Sequence, residues 1–283
     1  MRDRIVRKPG ADVSRRGFLQ MATAAAGVAT APWSVLAASG SARNPAPEFT
    51  AVTCGGTYAR HLQGICTNDK DRIYWCFTTD LVQTDLSGRA LRSVPVANHH
   101  GDLCFDDDKL YVAVNLGKFN RPAGEADSWV YVYRAETLEE LSRHRTPEVV
   151  HGAGGVACRD GRFVVVGGLP EGVDENYAYE YDQEFAFQKR HVLPSGYTRL
   201  GIQTAAWSDG AWWFGCYGNP PVLLKADTSL TTVRRYRFAC SLGIVGVPGG
   251  RFLVARGSCQ GNGGCTGRAL PAVPCDENGL KTV

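Results

Sequence analysis

Long hydrophobic runs are scarce in this 283-residue chain, and so is any 3.6-residue periodicity. Its one helix-like stretch, "AETLEELSRH" (135–144), falls where a repeated unit calls for a turn and a strand, so an all-helical fold is excluded. Ten cysteines are present but never as a CxxC pair, which argues against a cysteine-rich zinc module. The phrases GxSxG and HExxH and the Walker phrase are missing, and with them the chemistries they carry. No long basic run of the nucleic-acid-binding kind occurs. Histidine is rare: there are six, and two of them, His99 and His100, are adjacent.

What is present begins with "SRRGFLQ" (14–20), Arg15 and Arg16 followed by Phe18 and Leu19. This is the pattern of a twin-arginine export signal. The weakly apolar, Ala-rich stretch behind it is interrupted by Pro32 and followed by small residues at 37–42, which suits cleavage between 37 and 43 rather than a membrane span. Residues 1–42 are therefore set apart from a single domain over 43–283. They carry six Lys and Arg against two Asp and Glu, so the remainder has a formal net charge of −1 and is not basic. The expected location is periplasmic or extracellular, and the export machinery is the expected protein partner. Export permits disulfides, yet the twin-arginine route carries proteins already folded in a reducing cytoplasm. Several cysteines are then expected as buried thiols, Cys66, Cys104 and Cys158 among them. Cys259 and Cys265, which flank "QGNGG", are the expected disulfide, with Cys54 and Cys275 a second candidate pair.

Five stretches repeat one pattern: "HLQGICTNDKDRIYWCF" (61–77), "HHGDLCFDDDKLYVAV" (99–114), "HGAGGVACRDGRFVVVG" (151–167), "GIQTAAWSDGAWWFG" (201–215) and "SLGIVGVPGGRFLVA" (241–255). Each is a small-apolar strand, a turn rich in Asp, Asn or Gly, and a strand rich in β-branched and aromatic residues, the signature of a hairpin. A third strand and a polar turn follow each, the turns starting near Asp85, Glu136, Asp182, Asp227 and Asp276. A fourth strand follows the first four. Four antiparallel strands per roughly 45–50 residues is the spacing of propeller blades. The chain thus resembles the β-propeller superfamily: all-β, five blades of four strands, with 48–58 completing the last blade and closing the ring. The phrase "HLQGI" (61–65) also resembles the FTQGL phrase of the plant-type glutaminyl cyclases, which are five-bladed. That family has GEGL one blade later. Here the stretch is "HGDL" (100–103), with Asp102 one position off and no glutamate. The resemblance implies an acyltransferase.

In such a ring, His61, His99 and His151 stand before successive inner strands, with "GAGG" (152–155) absorbing one extra residue of the third as a bulge. Gln203 and Ser241 occupy that neighbourhood in the other blades. Three imidazoles at one height predict a metal site of His61, His99 and His151, with Gln203 close by. It would hold a divalent transition metal such as zinc, iron, manganese or copper. The loops 115–128 and 167–176 exceed what a hairpin requires and should line the same mouth. They offer Lys118, Glu175 and Tyr177 as acid–base groups, beside Asn115 and, from 216–221, Tyr217. The expectation is a metal-dependent hydrolase or lyase acting on a small polar or carbohydrate-like molecule. The alternative is a propeller that binds a glycan or a protein without catalysis.

Overall fold

The computed structural model describes residues 47–261 and 264–283. The export signal read at 1–42 lies outside the described residues. Among those described there is no helix, and twenty-one strands form five sheets. A short β1 (Val52–Thr53) precedes the first blade, β2 (Leu62–Thr67), β3 (Arg72–Phe77), β4 (Asp80–Asp85) and β5 (Ala90–Pro95). The second is β6 (His100–Asp106), β7 (Lys109–Asn115), β8 (Ser128–Arg134) and β9 (Glu140–Arg145). The third is β10 (Ala153–Arg159), β11 (Arg162–Gly167), β12 (Asn176–Tyr181) and β13 (Phe187–Leu193). The fourth is β14 (Arg199–Ser208), β15 (Ala211–Tyr217), β16 (Val222–Ala226) and β17 (Val233–Tyr236). The last holds β18 (Ile244–Val247), β19 (Arg251–Cys259), β20 (Cys265–Cys275) and β21 (Gly279–Thr282). Within each blade the four strands pair antiparallel in sequence order, and β1 joins the last blade beside β20, so this is a five-bladed β-propeller.

Local chemistry explains the repetition. The hairpins joining the first two strands of the second, third and fourth blades are two-residue turns with both residues at positive φ: Asp107 and Asp108, Asp160 and Gly161, Asp209 and Gly210. That backbone matches the twist of the flanking strands. The later turn of each blade repeats too. Asp85, Asp182 and Asp227 each accept backbone N–H bonds at Oδ1 from residues two to five positions ahead. Two or three residues beyond each turn start, at Gly88, Leu138, Phe185, Leu230 and Gly279, φ is positive in all five blades. Leu138, Phe185 and Leu230 bury their side chains, which offsets the strain of that conformation in a bulky residue.

The outer edge of the fifth blade is shared. β21 pairs with β20 over Ala272–Cys275, and β1 pairs with it at Arg268 and Ala269. The segment before the first blade therefore contributes a two-residue ladder and a bridge at Tyr58, not a whole outer strand over 48–58, because residues 279–282 occupy the rest of that edge. Blades pack face to face through apolar side chains. Leu62, Ile65 and Trp75 of the first share one core cluster with Val247, Leu253 and Ala269 of the fifth. Trp75 and Trp213 are wholly buried between blades. Cys259 and Cys265 form a disulfide across the β19–β20 hairpin, while the other eight cysteines, Cys54 and Cys275 included, are free thiols.

Candidate functional site

The inner strands share an irregularity that sets the geometry of the channel mouth. In β2, β10 and β14 one extra residue, Gln63, Gly154 or Gln203, is inserted against the neighbouring strand. In β6, Gly101 and Asp102 together oppose one residue. A bulge kinks a strand and re-aims its side chains. Gln63, Gly101, Gly154 and Gln203 all line one cavity of about 550 Å³. His61, His99, Asn115, Phe119, Arg199, Leu200 and Tyr217 complete most of the wall.

The bulge also decides which histidines meet. His61 and His99 immediately precede the first paired residue of their strands, Leu62 and His100. Counted from the bulge, the corresponding residues of the next two blades are Gly152, before Ala153, and Gly201, before Ile202 in a strand already paired at Arg199; positive φ marks His99, Gly152 and Gly201 alike. Because four blades carry the bulge, it cannot absorb the extra residue of the third. His151 falls one position too early, outside the cavity wall, and its Nδ1 donates to Arg121 O at 2.8 Å. The structure brings together His61, His99 and Gln203 and leaves His151 apart. Gln203 Nε2 donates to Leu200 O at 2.6 Å. Among the described residues, no group of three or more His, Cys, Asp or Glu side chains could hold a metal ion. The residues present do not fit a three-histidine centre.

The adjacent histidines diverge. His99 opens onto the cavity; His100 is fully buried beneath it. Its Nδ1 lies 2.7 Å from Ala97 O, which only accepts, so Nδ1 carries the proton. Nε2, 2.7 Å from Tyr133 Oη, then accepts from the phenol. Burial pushes the His100 pKa down to about 4. His61 is also held below the usual histidine range, first by burial and then by the nearby Arg60 and His99. Its imidazole is therefore neutral at neutral pH and available as a proton acceptor.

The long loop after β7 reaches the cavity through Phe119. A Cβ at Gly152 would lie 2.4 Å from the Phe119 ring, so only glycine lets it seat. Asn115 bonds Gly117 O and Asp127 N, closing the neck of this loop, and Asn120 N donates to His151 O. His151 is thus a clamp for the loop. Lys118 pairs with Glu125 at 2.7 Å on the exposed surface, and Glu175 accepts from Tyr177 Oη at 2.9 Å. Neither pair lines the cavity, and the loop 167–176 contributes nothing to its wall. Nothing in the repeat pattern singles out Arg199, Leu200 or Phe119. Arg199 stands two residues before the fourth repeat phrase, a place with no counterpart to flag it.

Below the cavity the axis is blocked by Asp102, which is wholly buried. Its Oδ2 accepts from Ala205 N at 2.8 Å, two blades away, and its Oδ1 has no hydrogen-bond partner. A Cβ at Gly64 would sit 2.3 Å from that Oδ1, so the first blade yields space for it. Burial pushes the Asp102 pKa well above the carboxylate range against the opposing pull of the Ala205, Leu103 and Ile65 amides. Beyond it lies a cavity of about 150 Å³ beside Cys66, Cys104 and Cys158. Cys66 is fully buried and the other two are half-buried.

Fold and site together define a five-bladed β-propeller with a cavity of mixed polar and apolar lining at one mouth of its channel. The chain is similar to the glutaminyl cyclase of Myxococcus xanthus at 14% identity and a TM-score of 0.52, over 83% of this chain and 99% of that one. It is more distantly similar to hydrazine synthase of Kuenenia stuttgartiensis (12% identity, 68% of this chain and 60% of that one, TM-score 0.44). The Pan2 WD40 domain of Neurospora crassa matches at 10% identity, over 78% of this chain and 65% of that one, with a TM-score of 0.40. No family model matches the chain, and no curated protein does. At these identities the likeness is one of fold.

Proposed function

We propose that the cavity at the channel mouth binds a small polar molecule carrying an anionic group, and that His61 accepts a proton from it. One observation carries this reading: two imidazoles, three carboxamides and the Arg199 guanidinium open onto one cavity whose wall includes no carboxylate. A guanidinium at the rim recognises a carboxylate with paired donors. Phe119, Leu200 and Tyr217 supply the apolar and aromatic surface common in small-molecule sites. No metal enters this reading, since His61 supplies the basic nitrogen. Calorimetry with D-galacturonate and with neutral galactose tests the binding. Only the acid should bind, and Arg199→Ala should weaken it about tenfold or more. Equal binding of both sugars, or of acid to both proteins, would sink the proposal.

Glutaminyl-cyclase-type acyl transfer is a second reading. It is supported by Gln63, of the "HLQGI" phrase, lining the cavity, and by the fold likeness to a glutaminyl cyclase. Gly101 stands where that family's phrase has its glutamate, so His61 would have to move the proton. Ammonia release from a peptide with N-terminal glutamine, abolished by His61→Ala, would favour it; no release would dismiss it.

Export by the twin-arginine route is proposed on Arg15 and Arg16 and is supported by the eight free thiols, which suit folding in a reducing compartment before passage. Replacing both arginines by lysine should leave the chain inside the cell at full length.

A further inference from the structure

The cavity wall formed by Arg199, Tyr217 and Gly218 has a second side. The same three residues face an adjoining groove of about 910 Å³, which runs past Pro220 and Pro221 to Arg235, Tyr236 and Arg237, and to Glu277 and Asn278 of the fifth blade. Cavity and groove together present three arginines, at 199, 235 and 237, and three tyrosines, at 197, 217 and 236, against the single carboxylate of Glu277. Elsewhere on the blades, Arg72, Arg89, Arg143 and Arg162 are each paired with a carboxylate. Arg199 and Arg237 have no hydrogen bond or ion pair from their side chains among the described residues. Arg235 uses Nη1 to bond Ser195 O and Tyr197 O, both at 2.9 Å, which holds Tyr197 at the groove and leaves its charge without a counter-ion.

We propose that cavity and groove bind one extended ligand, an acidic oligosaccharide of the uronate type. One sugar acid would sit at the mouth and the following residues along the groove. The proposal rests on the reading of the mouth given above. Its chemistry is complementary. Guanidinium groups pair with the carboxylate that each sugar unit repeats, and tyrosine rings offer faces on which pyranose rings pack. An acidic peptide shares the charge but would also need backbone partners. Pro220 and Pro221, on the groove wall, offer no N–H for strand-like pairing.

Titration calorimetry on the folded chain with D-galacturonate and with tetragalacturonate tests this. The tetramer should bind about tenfold or more tighter than the monomer, and the difference should shrink as salt is raised, as exposed charge pairs require. Arg237→Ala, an exposed and unpaired position, should remove most of the tetramer's advantage and leave the monomer's affinity unchanged. Arg237→Glu should reverse the advantage. Equal affinity for monomer and tetramer would overturn the groove while leaving the mouth intact. Failure of both to bind would overturn both. A tetraglutamate peptide binding more tightly than tetragalacturonate would overturn the assignment to a sugar.

Discussion

His100 shows how one residue ties the mouth of the channel to the core. Its ring is fixed as the neutral Nδ1–H tautomer between a carbonyl and a phenol, and its charged form has no place to go. With a folded pKa of about 4 against about 6.5 in the unfolded chain, the unfolded state takes up the proton first. The stabilisation is therefore complete above pH 6.5 and is lost as pH falls toward 4, amounting to about 3 kcal/mol over that window. Urea unfolding at pH 7 and at pH 4.5 should show this loss in the native protein. It should be smaller by most of that amount in His100→Gln, which cannot titrate. A pH dependence identical in the two would show that another group is responsible. His99, one peptide bond away, faces the cavity in the left-handed region at φ 66°. That conformation is uncommon for histidine, and an alanine there should cost the ligand site more than the fold.

At the scale of the strand, the repeated bulge governs both what was legible and what was not. The five hairpins, the polar turns and the blade count can be read from "HLQGI", "HHGDL" and their counterparts, since turn chemistry and strand composition are local properties. The site needed one more fact. A bulge assigned only to the third blade lifts His151 into line with His61 and His99, whereas a bulge in four blades puts Gly152 there instead. A glycine at that place is what Phe119 requires, so the sequence does carry the signal, but only once the neighbouring loop is known. Lys118 and Glu175 illustrate a related limit. Each sits on a long loop, but whether such a residue turns inward depends on packing that spacing does not encode. Gly152→Ala checks the strand-level reading. At φ 98° and 2.4 Å from the Phe119 ring, the new methyl should displace loop 116–127. It should lower stability by about 1–3 kcal/mol and weaken ligand binding, with faster amide exchange confined to that loop. Unchanged exchange at Lys118–Asn120 would contradict the clamp.

Across the whole ring, Asp102 is the point where blades one, two and four meet on the axis. Its protonated form is favoured by burial, so its contribution is complete below the pKa of the unfolded carboxyl and falls as pH rises from there toward its raised folded pKa, opposite in sign to that of His100. Asp102→Ala would leave the Ala205 N–H without its acceptor. We expect a loss of about 2–3 kcal/mol in thermal or denaturant unfolding. A variant as stable as the parent would show that the axis needs no pin.

The buried free thiols have a use of another kind. Cys66 and Cys76 lie in the first blade, Cys216 in the fourth, Cys240 between the fourth and fifth, and Cys54 against the edge of β20, all shielded from solvent. An alkylating reagent can reach each only when its own part of the ring opens. Labelled over time and mapped by mass, the five act as clocks for four neighbourhoods, with Cys66 and Cys76 both timing the first blade. If they run at one rate, the propeller comes apart as a unit. If Cys54 runs ahead of the rest, the ring opens first at the seam where its two ends share a strand.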